Sequence, residues 1–261
     1  MRAIELTKAY LRINVLEWME YKWDFLIGVL SMLFMEITPA IFIWALFSRI
    51  QAVNGWSFGQ ILFIIGLAGM ATAIWRVFFT GFWNFDRFIR MGGLDRTLLY
   101  PINPLLHINA VSVWADGLGN VIASAIILSY ASAAAGIHWT ALSLLLFFIV
   151  SVSASLILMA LTVIPALAAF WTMRSAVFAE IIWHFKKFLD YPLDIYGTAI
   201  TFFMTFILPL GFVNFYPAQI FLGTGKYMEL AFLSPLVALI LIGLTILVWK
   251  QGLKVYASTG S

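Results

Sequence analysis

The chain has 261 residues, 63% hydrophobic and 10% charged, with mean hydropathy +1.00 and a net charge of +3. No water-soluble fold could bury that much apolar surface, and the apolar blocks leave no room for a separate catalytic domain. The lack of cysteine excludes disulfides, thiol catalysis and thiolate metal sites.

The first twenty residues carry Arg2, Glu5, Lys8, Arg12, Glu17 and Glu20 with no apolar core, so no cleavable signal peptide is expected. Residues 2–23 read instead as an amphipathic helix. Ile4, Leu11, Val15 and Trp18 recur at helical spacing, while Glu5, Lys8 and Arg12 share another face. Trp18, Tyr21 and Trp23 suit the headgroup layer, so the helix would lie along the membrane surface. It serves either as an edge anchor or as a lever against a partner.

Six spans follow: Phe25–Phe47, Phe58–Phe79, Leu105–Ala135, Ala141–Phe170 with a kink at Pro165, about Gly197–Val213, and about Leu236–Trp249. Arg2, Lys8, Arg12 and Lys22 precede the first span, and Arg76, Arg87, Arg90 and Arg96 close the second. Arg174, Lys186 and Lys187 follow the fourth, and Lys250 and Lys254 the sixth. Only Arg49 and Lys226 then fall on the other side, which places both termini in the cytoplasm. The expected fold class is an all-α integral membrane protein, one membrane domain over 1–261, with the cell inner or plasma membrane as its location.

Glu36 stands at the middle of the first span, where an ionised carboxylate costs about 2.5–3.5 kcal/mol. It either recognises or gates a cationic, amphiphilic cargo, or it satisfies the Met35 carbonyl that Pro39 leaves without a donor. Asp116, about eleven residues into the third span, raises the same question, with Asn109 and Asn120 as hydrogen-bonding neighbours. Arg76 is expected to snorkel to the surface. Gly66, Gly69 and the serines around 124–155 suggest close helix packing.

Between the second and third spans, residues 81–105 alternate aromatic and charged side chains. Asp86, Arg87 and Arg90 share one short helical piece with Phe85, Phe88 and Ile89; Gly92-Gly93 break it, and Asp95 lies in the first turn of the next. A disposable loop needs only a few residues, so this length points to a docking surface. After the fourth span, Phe178, Ile181, Ile182, Phe185, Phe188 and Leu189 form a second amphipathic stripe, ended by Asp190-Tyr191-Pro192. Glu180 and His184 there read as a hydrogen-bonded pair rather than metal ligands, since no third ligand is near. Residues 214–235, apolar but interrupted by Pro217, Gly223, Gly225 and Pro235, suit a re-entrant or interface-lying pair of short helices on the outer side. Gly223-Thr224-Gly225-Lys226 fails as a phosphate loop, because Ile220 and Tyr227 stand where glycine and Ser/Thr are needed.

The string from Gly92 to Leu105, Gly-Gly-Leu-Asp-Arg-Thr-Leu-Leu-Tyr-Pro-Ile-Asn-Pro-Leu, resembles the connector of type-2 ABC exporter permeases. The ending Trp249–Ser261 is similar to that of one subgroup. The six-span plan, surface helix and outer re-entrant segment extend the resemblance over the whole chain. It implies a subunit that hydrolyses nothing and is driven by a separate ATPase, which carries the ATP and Mg. It also implies a coupling-helix role for Asp86, Arg87, Arg90, Asp95 and Arg96, and an interface helix bearing Glu5, Lys8 and Arg12. A second permease completes the membrane core, as a different chain or a copy. Membrane lipid is the remaining partner, and no nucleic acid or metal is expected.

Two other classes compete. An intramembrane enzyme needs a convergent set such as Ser with His, yet His107, His138 and His184 stand near span ends and no Gly-x-Ser-x-Gly occurs. A channel or secondary carrier would show repeated broken helices or a ring of polar pore residues.

Overall fold

The structure is a computed structural model that describes residues 10, 12–14, 16–111, 114–172, 175–224 and 227–257. Glu5 and Lys8 lie outside the described residues. From Lys22 onward the chain forms α1 (Lys22–Phe47), α2 (Phe58–Phe78), α3 (Phe85–Arg90), α4 (Gly93–Leu98), α5 (Pro104–Val111) and α6 (Gly117–Ala134). It continues as α7 (Ala141–Ala166), α8 (Ala169–Thr172), α9 (Ala176–Phe185), α10 (Thr198–Phe202), α11 (Phe215–Leu222), α12 (Met228–Ala231) and α13 (Ser234–Val255). Among the described residues there is no strand, only an isolated bridge between Val53 and Trp56.

Five stretches are long and apolar enough to cross a membrane: α1, α2, α6, α7 running on into α8, and α13. α2 and α7 both start with reciprocal caps, Ser57 with Gln60 and Thr140 with Ser143, which satisfy N–H groups that hydrocarbon could not. α2 is apolar on all sides and is buried accordingly, with Phe63, Ile64, Leu67, Ala71 and Trp75 packed between α6, α7 and α1. Small residues set the spacing. A Cβ on Gly66 would strike Leu128, and one on Gly119 would strike the Val29 carbonyl of α1.

The third crossing is shorter than the sequence suggests. α5 ends at Val111 and α6 begins at Gly117, so Asp116 takes the N-cap position of α6 instead of lying eleven residues into a span. A two-pronged ion pair holds it there: Arg76 Nη2 to Asp116 Oδ2 at 2.7 Å, and Nε to Oδ1 at 3.2 Å. Arg76 also lies over the Trp114 ring at 5.1 Å, so it is anchored rather than snorkelling free.

The fifth crossing is misplaced by the sequence reading. Thr198–Ile207 and Pro209–Leu222 form a pair bent by 73°, and both of its ends sit where α2 and α7 begin. At one end, Asp194 Oδ1 accepts from Trp56 Nε1 at 3.0 Å, and Thr201 donates to the Leu193 carbonyl at 2.8 Å. At the other, Phe221 packs on Phe63 and Trp139. The pair therefore enters and returns, starting at Thr198 rather than at residue 214. The crossing itself is made by α9 and the two 3₁₀ turns Lys186–Asp190 and Leu193–Ile195. Trp183 stacks near Trp75 at the end of α2, at 4.6 Å; Leu189 shares an amide with Ile64 further along; and Asp194 reaches Trp56 beyond its start. The part of the stripe from Ile182 to Leu189 is thus a wall of the bundle, with Lys186 and Asp190 half-buried on the cavity and Lys187 exposed at its edge. Five candidate spans and this segment thus run between the two ends of the bundle, and the two described ends of the chain share the end that holds α3 and α4.

Candidate functional site

Two features concentrate polar chemistry. The first is the connector, where α3 and α4 form a short hairpin. Gly92 takes the left-handed φ of +67° that joins them, and a Cβ on Gly93 would strike the Phe88 ring. The inner face, Phe85, Ile89 and Leu94, is buried against Phe82, Val163, Leu167 and Trp249. Phe85 meets Phe170 of α8 at 5.4 Å and Trp249 of α13 at 6.0 Å, so the hairpin is clamped to the ends of two spans.

Inside the hairpin the carboxylates brace. Asp86, 8% exposed, accepts from the Arg87 N–H at 2.7 Å and from Arg90 Nη1 at 3.0 Å. Asp95 Oδ1 accepts from the Tyr256 hydroxyl at 3.0 Å, fastening the chain after α13 to α4. Arg87, Arg90, Met91, Arg96, Leu98, Leu99 and Tyr100 face outward, Leu99 at 85% exposure. The five residues grouped by the sequence therefore divide: two carboxylates hold the scaffold and three guanidiniums line an apolar, basic surface.

Arg12 is exposed on the N-terminal helix beside this end. That helix docks through Tyr10, whose hydroxyl hydrogen-bonds His107 Nδ1 at 3.2 Å, with the Tyr100 ring 4.8 Å from the imidazole. Burial pushes the His107 pKa below its ordinary value. The docked state then binds fewer protons, so docking is full above about pH 6.5 and weakens as pH falls below it. Amide exchange at residues 16–20 is expected to rise between pH 7 and pH 5 in wild type and to lose that pH dependence in His107→Gln.

The second feature is a cavity of about 270 Å³ at mid-bundle, lined by Glu36, Thr72, Arg76, Asn120, Lys186, Lys187 and Asp190. Glu36 Oε2 accepts from Asn120 Nδ2 at 2.7 Å, tying α1 to α6, instead of turning back to the carbonyl before Pro39. A Cβ on Gly69 would collide with the Glu36 carboxyl and Ser124 hydroxyl, so glycine makes the room for this group. Asn120 Oδ1 and Ser124 Oγ are buried without a partner, and Lys186 lies 4.8 Å over the Trp183 ring. Charge at this depth is costly unless it faces partners or water. Asp116, paired with Arg76, instead borders a separate hollow beside Trp18, Asp24 and Trp114. Glu180 and His184 meet only through the Glu180 carbonyl and His184 Nδ1 at 2.7 Å, and no group of His, Asp or Glu among the described residues is placed to hold a metal.

A model of the ABC-2 family transporter protein matches residues 31–260, taking in α1 from its first third through the connector, the cavity and α13. The chain is an ABC-2 family permease. Neither the curated proteins nor the solved structures held a match to it. The permease is a multi-pass membrane component of an ABC transporter, in a family whose members are generally non-catalytic and work with an ATPase subunit. Of the cavity residues, sequence reasoning singled out Glu36 and Arg76 and considered Asn120 as a neighbour of Asp116. It left out Thr72 and assigned Lys186, Lys187 and Asp190 to a surface. The available signal was length: about twenty residues from Ala176 to Ile195 are enough to cross when the polar side chains face inward.

Proposed function

We propose that the permease forms half of the translocation pathway of an ATP-driven exporter, its connector seated in a groove of the ATPase. The observation that carries this is the outward face of the hairpin, where Leu98, Leu99 and Met91 stand exposed among Arg87, Arg90 and Arg96 on a rigid mount. An apolar patch ringed by guanidiniums suits an acidic-rimmed protein groove. Asp86 and Asp95 act as positioning residues for that face. The N-terminal helix, with Glu5, Lys8 and Arg12, contacts the same partner, which binds the ATP and Mg. A second permease, a copy or a related chain, completes the pathway in the cell inner or plasma membrane, within one permease domain over 1–261.

Cytoplasmic termini fit the charges. With Lys186 and Lys187 set aside at the cavity, Arg12, Arg87, Arg90, Arg96, Lys250 and Lys254 still gather at the connector end, against Arg49 at the other. The cargo is amphiphilic, its polar part meeting Glu36 and the lysines; Asp116 contributes through Arg76, at the mouth. Purified from native membranes, the wild-type chain is expected to bring an ATPase, and Arg87→Glu with Leu99→Glu to lose about 2–4 kcal/mol of binding, enough to empty the pull-down. Retention of the ATPase by the double variant would reject the connector as the coupling surface; a wild-type chain purifying with no ATPase would favour a channel or carrier.

A further inference from the structure

On one flank of the bundle, α13 on one side and α5 with the end of α2 on the other border a groove of about 860 Å³, floored by Met159 and Val163 of α7, that no part of the proposed transport reading uses. It runs from Ile242 and Met159 at mid-bundle to Leu253 and Lys250 at the connector end. Ile242 to Leu253 spans roughly 16 Å of helix at ~1.5 Å per residue, about half of a ~30 Å hydrocarbon core. The groove is therefore one leaflet deep. It opens sideways, since Phe78, Leu106 and Ile246 in its wall are 52%, 66% and 39% exposed.

Its polarity is graded along that depth. The deep part is aliphatic and aromatic, while Asn103 and exposed Lys250 mark the mouth. Asn109 adds a carbonyl oxygen that is buried and without a donor, its amide being taken up by the Leu105 carbonyl at 3.1 Å. A cation at headgroup level, an unfilled acceptor and a one-leaflet apolar slot specify a molecule with the opposite set: an anion, a hydroxyl and hydrocarbon chains.

We propose that this groove holds an anionic glycerophospholipid, with its acyl chains between α13 and α5, over Met159 and Val163, its phosphate at Lys250 and a headgroup hydroxyl at Asn109. Phe82 and Trp249 form the wall of the groove and also the seat of Phe85 in the connector. The bound lipid thus packs the back of the surface that carries α3, and the connector becomes sensitive to leaflet composition.

Trp249 reports occupancy directly, because brominated chains quench a tryptophan they touch. The full chain is reconstituted in phosphatidylcholine vesicles containing brominated phosphatidylglycerol or, in parallel, brominated phosphatidylcholine. The Trp249 contribution is taken as the difference from Trp249→Phe. Phosphatidylglycerol is expected to occupy the groove about fivefold more readily, the preference of one lysine near a headgroup, and Lys250→Gln to equalise the two lipids. Ile246→Phe, which crowds the slot without adding a fluorophore, should sharply reduce the Trp249 quenching by both. Native mass spectrometry of the detergent-purified chain gives a second readout that needs no tryptophan variant: phosphatidylglycerol retained by wild type and shed by Lys250→Gln. Equal quenching by both lipids in wild type would reduce the groove to ordinary boundary contact. A Trp249 signal untouched by either lipid would mean that protein covers it, and each result overturns the proposal.

Discussion

Single cysteines at Arg87 and Thr198 are expected to react with a membrane-impermeant thiol reagent from opposite faces of the membrane. The chain has no native cysteine, so each variant reports one position. Both positions are exposed, Arg87 on α3 and Thr198 at the start of α10. If the fifth crossing were Gly197–Val213, Thr198 would share the face of Arg87. Because α9 and the 3₁₀ turns make the crossing, it lies on the other. The outcome is all or none, and labelling of both from one face would remove the fifth crossing as drawn. Lys187→Cys extends the test: it borders the cavity, while Leu189 is 1% exposed. Only the thiolate reacts, and it forms where water reaches, so Lys187→Cys should label at least about tenfold faster than Leu189→Cys.

Asn214→Leu is expected to destabilise the bundle strongly. Asn214 Nδ2 donates to the Leu189 carbonyl at 2.6 Å and to the Ile64 carbonyl at 3.2 Å, binding the turn of the re-entrant pair to the fifth crossing and to α2 at once. Leucine fills similar space and donates nothing. Each buried carbonyl left unpaired costs about 1–3 kcal/mol, so roughly 2–6 kcal/mol is at stake, reduced somewhat because the unpartnered Asn214 Oδ1 disappears as well. A broken crossing has little else to satisfy its backbone in hydrocarbon. Thermal unfolding in detergent should fall well below wild type, whereas Gln51→Leu, at an exposed position in the turn after α1, should leave it unchanged. An unshifted midpoint for Asn214→Leu would show that these two hydrogen bonds do not hold the crossing.

Much of this was legible in the sequence where a single helix solves the problem alone. α1, α2, α7 and α13 are uninterrupted apolar blocks, and hydropathy finds them because nothing outside the helix is needed to satisfy their backbone. The Gly92-Gly93 break in the connector was legible too, since glycine punctuates wherever it stands. What escaped was set by tertiary partners. Asp116 reads as a mid-span charge until Arg76, forty residues earlier, brings it to a helix start. Residues 186–190 read as the polar end of an amphipathic helix outside the spans; only the cavity beside them gives Lys186 and Asp190 a partly buried place. The segment 197–213 reads as a straight span because composition does not reveal that it bends by 73° at Pro209. Asp86 and Arg87 are sequence neighbours with opposite duties, inward and outward, which charge alone cannot separate.

The ring cluster that seats the connector has a mechanical consequence. Phe85 is gripped by Phe170 and Trp249 together, so a displacement of α3 carries the ends of α8 and α13 with it as one lever. α1 is outside that grip; it leans on α6 and meets it at mid-depth through Glu36 and Asn120. If the connector takes the push of an ATPase as proposed, α1 would slip against the rest, and the hydrogen bond from Asn120 to Glu36 beside the cavity is the joint that slippage would strain. In that reading, the tie between α1 and α6 and part of the cavity's polar lining would be the same two side chains.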